Sequence, residues 1–246
     1  MFEGPFTAES LVALLTLLVL EIVLGIDNVI FIAIVTEGLP EEQRPRAQRL
    51  GLGLALFGRV ALVIGISFLL KLEEPLFAVV GHDFSLADFV LISGGLFLVY
   101  KAVREIFETT EVKTHQLAVA KPRVSFAGVI AMILVIDIIF AIDSVLTAVG
   151  LTSQIVIIVI AIAAAIGVMM FYAPPLSRFI TDHPSVKILA LSFLLLIGVM
   201  LFMDGFGRHI EREYIYFAIA FALGIEALNF RRRRNLEESG ASTSGD

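Results

Sequence analysis

The chain contains no cysteine and no tryptophan, and only four histidines. Without cysteine there are no disulfides, no thiolate metal sites and no thiol nucleophiles. Charged residues are scarce, at 17% of the chain, where an average soluble domain carries about 25%. No patch interleaves basic and aromatic residues, so no nucleic-acid partner is expected. The N-terminus lacks the basic segment of a cleaved signal: "MFEGPFTAES" has two glutamates and no lysine or arginine, and the first apolar run is expected to be retained.

What the chain has in quantity is hydrocarbon. Of its 246 residues 58% are hydrophobic, and the mean hydropathy is +0.94. Apolar runs of about 20 residues, the length needed to cross a bilayer as helix, fall at about 10–35, 50–70, 86–103, 124–149, 153–172, 186–204 and 213–230. The runs are continuous and not alternating, which argues against a β-barrel. The expected fold is an all-α polytopic membrane protein with about seven transmembrane helices, its first partner the lipid bilayer. "APP" at Ala173–Pro175 is expected to end the fifth span. After residue 230 come "RRRR" (Arg231–Arg234) and a small, polar tail to Asp246 that is expected to be disordered.

Lysine and arginine in short loops favour the cytoplasmic side. Counted on alternate sides of seven spans, 14 basic residues fall on one side and 3 on the other, with Arg59 alone inside a span. The asymmetry predicts an outside N-terminus and a cytoplasmic C-terminus. An even number of spans would scramble it.

Two of the spans carry acids in the same arrangement. "EIVLGIDNV" (Glu21–Val29) aligns with "DIIFAIDSV" (Asp137–Val145): acid matches acid at Glu21/Asp137 and Asp27/Asp143, and Asn28 matches Ser144. Each copy opens a group of three spans, and three is odd, so the groups would cross the membrane in opposite senses. Inverted repeats of this kind, with substrate groups near the midplane, recur in secondary transporters. Repeat one is expected at about 10–105 and repeat two at about 124–204, with an extra helix at 213–230; residues 1–230 form one transmembrane domain. Within each copy the first acid and the Asn or Ser are seven apart and share a helix face, whereas the second acid lies about 120° away. Either each helix is enclosed by neighbours on several sides, or it unwinds locally, which Gly25 would ease in the first copy.

A charge at the bilayer centre costs at least ~2.5–3.5 kcal/mol. Four acids therefore need protons, basic partners or a bound cation. Arg59 is central, and pairing with one of the acids is its expected role; Lys101 sits near a span end, where an anchor is expected. Two basic groups do not neutralise four acids, still less five with Glu226 in the last span. Glu226 reads either as a further oxygen ligand or as an interfacial glutamate reaching toward the arginine run. Carboxylates, an amide and a hydroxyl are hard donors suited to Ca²⁺, Mg²⁺ or Mn²⁺. The histidines (His82, His115, His183, His209) all fall in predicted loops, and the span methionines are explained by packing. The candidate metal-binding residues are Glu21, Asp27, Asn28, Asp137, Asp143, Ser144 and Glu226. Gly51, Gly53, Gly94, Gly95 and Gly198 are expected to permit close helix packing.

The segments "EIVLGIDNVIF", "GGLFLVYKA" (Gly94–Ala102), "DIIFAIDSVLTAVGL" (Asp137–Leu151), "HPSVKILALSFL" (His183–Leu194) and "YIYFAIAFALGIEALN" (Tyr214–Asn229) resemble the TerC family of integral membrane proteins. That family is named for tellurium resistance and is similar in design to lysine-exporter-like cation exporters. The resemblance covers about 10–230. It implies a multi-pass protein of the bacterial inner membrane that exports manganese, with Ca²⁺ as the second candidate, and a link to metalation of exported enzymes or to the secretion machinery. Carried over residue by residue, the family's acidic motifs fall on Glu21, Asp27 and Asn28, and on Asp137, Asp143 and Ser144.

No tightly bound cofactor and no enzymatic activity are expected. With no P-loop, transport would draw on an ion gradient, protons being the natural choice because they compete with metal for carboxylates. Two alternatives stand beside transport: a scaffold that binds metal and hands it to exported proteins, and an intramembrane aspartic protease. The second leaves Glu21 and Asp137 without a role.

Overall fold

A computed structural model of the chain describes residues 7–79, 82–111, 124–208, 210 and 212–242. The elements are α1 (Ala8–Thr36), α2 (Arg44–Ile64), α3 (Ile66–Leu72), a hairpin of β1 (Pro75–Val79) and β2 (His82–Ser85), α4 (Leu86–Glu111), α5 (Phe126–Leu151), α6 (Ile155–Asp182), α7 (Pro184–Asp204) and α8 (Arg212–Ser242). Seven of these helices, all but α3, are long and apolar enough to cross a membrane.

Helix starts follow local chemistry. Thr7 Oγ1 accepts from the Ser10 amide at 3.2 Å, and Ser125 Oγ accepts from the Gly128 amide at 3.0 Å, so α1 and α5 begin on hydroxyl caps. At α4, Ser85 and Asp88 cap reciprocally: the Asp88 amide donates to Ser85 Oγ, and the Ser85 amide donates to Asp88 Oδ2. Pro45 and Pro184 occupy first-turn positions of α2 and α7, where a missing N–H costs nothing.

Three expectations are corrected. The second span does not run to residue 70: it breaks at Gly65, where α2 hands over to the short α3. The fifth span does not end at Ala173–Pro175; Pro174 and Pro175 lie inside α6, which continues to Asp182. Ala173, Ser177 and Ile180 keep one buried stripe across the prolines, so tertiary packing outweighs two lost backbone donors. The tail expected to be disordered is helical as far as Ser242, a continuation of α8. Arg, Leu and Glu there are good helix formers, and extending an existing helix needs no new nucleus. Residues 243–246 lie outside the described residues, as do His115 and His209; His82 begins β2.

The bundle is built by pairing α1 with α6, α2 with α5 and α6, and α4 with α7. Its core is aliphatic: Leu17, Ile133, Ile157, Ile162, Leu191 and Leu194 are almost fully buried. The outer surface is also apolar, with Phe57, Phe171 and Phe217 more than 70% exposed. Such rings would be a liability in water and suit a lipid-facing surface. α4 and α7 cross at glycines: a Cβ on Gly95 would lie 2.6 Å from Gly198 O and the Phe202 amide nitrogen, and one on Gly198 would lie 2.9 Å from Gly95 O. Small residues let two backbones approach this closely. α8 lies outside, packed on α7 through Phe193, Met200, Ile215 and Ile219.

Candidate functional site

α1 and α5 are unbroken helices, so the acids are placed by enclosure and not by local unwinding. Every residue from Asp27 to Thr36 is buried, which means the last ten residues of α1 have neighbours on all sides. That is how Glu21 and Asp27 are both buried while facing different directions. Gly25, between Glu21 and Asn28 on one stripe, serves packing: a side chain there would collide with the thioether of Met169 on α6.

Glu21 and Asp137 each lie about 17–23 Å from either end of their helices at 1.5 Å per residue. The structure brings them together on Arg59 of α2. Arg59 Nη1 donates to Glu21 Oε2 at 2.8 Å, and Nη2 and Nε both donate to Asp137 Oδ1, at 2.9 and 3.2 Å. Nη1 also donates to Ser144 Oγ at 3.3 Å. The residues are sealed from the surface: Arg59 and Glu21 are 2% exposed, Ser144 4% and Asp137 8%. Arg59 was expected to pair with one acid; it pairs with two, from different helices, and with the hydroxyl of the second motif. The guanidinium's planar fork of donors suits that geometry.

Two carboxylates share one positive charge here, so the triad carries a net negative charge when both acids are ionised. Asn28 and Asp27 are each 5% exposed. Asn28 Oδ1 accepts no hydrogen bond from the described residues. Asp143 lies on α5 one residue before Ser144, and its side chain is outside the described residues. Among the described residues no three Asp, Glu or His side chains converge as a ready ligand cluster. A cation held by the described side chains therefore needs Asn, Ser or water among its ligands, a mixed oxygen set of the kind hard ions accept.

Glu226 does not join the others. It sits on α8 in the groove against α7, near Ser185 and Ser192, and accepts from Asn229 Nδ2 at 3.3 Å. The last span carries its own satisfied glutamate at the bundle's edge.

Sequence reasoning missed three polar constructions. Gln48 Nε2 donates to Thr36 Oγ1 at 3.0 Å, both residues being 1% exposed or less. Lys187 at the start of α7 pairs with Glu37 at 2.8 Å and with Glu105 of α4 at 3.5 Å; Lys101, expected as an anchor, pairs with Glu105 at 3.3 Å. At the other end, Ser10 Oγ donates to Gln154 Oε1 at 3.2 Å. Thr36 lies eight residues beyond Asn28, on the same stripe, and that spacing was the available signal. The Lys187 network joins residues up to 150 positions apart and leaves no local trace.

The chain is 45% identical over 234 residues to a UPF0053 protein of Haemophilus influenzae, covering 95% of this chain and 99% of that protein. It is 47% identical over 223 residues to the UPF0053 inner membrane protein YgdQ of Escherichia coli, covering 90% and 93%. Similarity to the Escherichia coli inner membrane protein YoaE is 45% over 222 residues, which is only 43% of that longer protein. No solved structure matches the chain. The model of the family described as "Integral membrane protein TerC family" matches residues 6–239, and the chain belongs to that family.

Proposed function

We propose that the protein is a divalent metal cation transporter, most suited to Mn²⁺ export with Ca²⁺ as second candidate, and not an enzyme. The observation that carries this reading is the convergence of Glu21 and Asp137, from two helices, on Arg59 at mid-helix depth. An intramembrane ionisable group is costly and is kept where charge must move or bind. Hard oxygen donors from both motifs, with no cysteine in the chain and no histidine cluster among the described residues, fit a hard divalent ion.

Arg59 then acts as the resident positive charge of the metal-free state. A divalent cation drawn to Glu21 and Asp137 competes with the guanidinium, and Asn28 and Ser144 supply neutral oxygens. Release of metal leaves carboxylates able to take up protons, which couples export to a proton gradient.

Helix pairing supports two related halves. The pairs α1–α6 and α2–α5 exchange, and α4–α7 maps onto itself, when α1, α2 and α4 are swapped for α5, α6 and α7. Two inverted three-helix repeats would pack in this way, with the N-terminus outside and the C-terminus cytoplasmic.

The test is Mn²⁺ flux in proteoliposomes, comparing the wild type with Glu21→Gln and Asp137→Asn. The expected result is flux in the wild type and none in either variant. Binding without flux would favour the scaffold that hands metal to exported proteins, and absence of both would refute transport.

A further inference from the structure

The long helices of the bundle fall into two sets. α1, α2, α5 and α6 pack chiefly on one another, and α4 and α7 pack chiefly on each other. Glu21, Arg59, Asp137 and Ser144 all lie in the first set. The seam between the sets is apolar at mid-depth, where Gly94 of α4 meets Ile139 of α5: a Cβ on the glycine would stand 2.6 Å from Ile139 Cδ1. A hydrocarbon side chain against bare backbone makes no directional bond there, and packed helices of this kind can slide past one another.

Toward one end the seam widens into a cavity of about 480 Å³, with Ile34 and Val35 of α1 and Met132 of α5 on one side and Lys101 and Glu105 of α4 on the other. Charges in the lining balance, Glu37, Glu105 and Glu108 against Arg44, Lys101 and Arg104, so the cavity offers an ion no net attraction and serves as a polar mouth. Met132, Ile136 and Ile139 follow one another at i, i+4 and i+7 on one face of α5. Ile136 and Ile139 are 1% and 6% exposed. Asp137 lies about 8 Å along the helix from Met132, so a short apolar stretch separates the cavity from the depth of the acids.

An ion pair crosses the seam beside this cavity. Lys187 Nζ of α7 lies 2.8 and 2.9 Å from the two carboxylate oxygens of Glu37, the residue that ends α1. It also reaches Glu105 of α4 at 3.5 Å, and Lys101 holds Glu105 at 3.3 Å. Lys187 and Glu105 belong to the α4–α7 pair and Glu37 to the acid-bearing set, so the lysine clasps one to the other. The groups are part-exposed, and a pair of that kind is weak enough to break and re-form. α5 exchanges with α1 when the two halves are swapped, yet residues 149–153 at its end carry no charge, and that end offers no equivalent clasp.

We infer that the α4–α7 pair moves as a unit against the other four helices, with Lys187–Glu37 as the latch, and that its release lets water from the cavity reach the depth of Asp137. Use of that opening by a metal ion rests on the transport reading above; the latch itself rests on the seam, the cavity and the ion pair.

The chain has no cysteine, so a single introduced one reports without background. The experiment places Ile139→Cys in the full-length protein in lipid nanodiscs and measures its rate of labelling by a water-soluble maleimide. Lys187→Gln and Glu37→Gln are each expected to raise that rate about fivefold, the population shift that a weak pair controls. The swap Lys187→Glu/Glu37→Lys should return it part of the way. Ile136→Cys is a second reporter on the same face. Ile133, which packs against Gly51 of α2 inside the four-helix set, supplies the control as Ile133→Cys and should label slowly in every variant. Equal acceleration at Ile133 would mean general loosening, and rates at Ile139 and Ile136 indifferent to the latch would mean a static seam; either result overturns the proposal. Mn²⁺ flux reports separately: flux with latch-independent labelling sinks the latch alone, and latch-dependent labelling without flux sinks transport alone.

Discussion

Arg59 of α2 donates to Glu21 of α1 across 2.8 Å with both side chains 2% exposed, and the same guanidinium holds Asp137 of α5. Three helices are thus tied by one cation at a depth where none of the three charges is stable alone. Removing one member leaves the others uncompensated, and that asymmetry is measurable.

Arg59→Leu is expected to destabilise the protein by about 3–5 kcal/mol, the usual cost of breaking a buried ion pair from one side. Adding Glu21→Gln and Asp137→Asn to it should recover much of that loss. Thermal unfolding in detergent would check both; no recovery in the triple variant would mean that Arg59 matters for shape and not for charge.

Proton coupling predicts that Mn²⁺ flux rises when an imposed pH gradient drives protons against the metal. Protons and metal compete for the same carboxylates, so apparent Mn²⁺ affinity should also fall as pH is lowered. Flux and affinity that ignore pH would exclude protons as the coupling ion.

The α4–α7 crossing makes a contrasting pair of stability predictions. Gly198→Ala forces a Cβ to within 2.9 Å of Gly95 O and the Val99 amide nitrogen, and overpacking of this kind costs about 1–3 kcal/mol. At Gly224 on α8, where nothing lies within 4 Å of a built Cβ, the same change should be neutral or slightly stabilising. Unfolding temperatures of the two variants would separate the cases.

Lys187 joins the ends of α1 and α4 through Glu37 and Glu105, with side chains 12%, 22% and 17% exposed. Part-exposed pairs contribute little, so Lys187→Ala is expected to cost only about 1 kcal/mol. The loss should shrink at high salt, and the swap Lys187→Glu/Glu37→Lys should restore part of it. A salt-independent loss would point to packing of the lysine stem in place of its charge.

Membrane class, the number of spans, the paired motifs and the family were legible in the chain because each has a local signature. Twenty apolar residues in a row span a bilayer whatever their neighbours do, and an acid in such a run stands out at once. Glu21 and Asp137 were singled out on that ground, and so was Arg59. The partners were decided elsewhere. Arg59 lies 38 residues from Glu21 and 78 from Asp137, and only the packing of α2 against α5, with α1 alongside, determines that one guanidinium reaches both. The same packing carried α6 through Pro174 and Pro175, enclosed α1 so that no unwinding was needed, and left Glu226 at the edge on α8. Hydropathy reports which segments leave water; which polar groups then meet depends on helix rotation and contact, and those are properties of the assembled bundle alone.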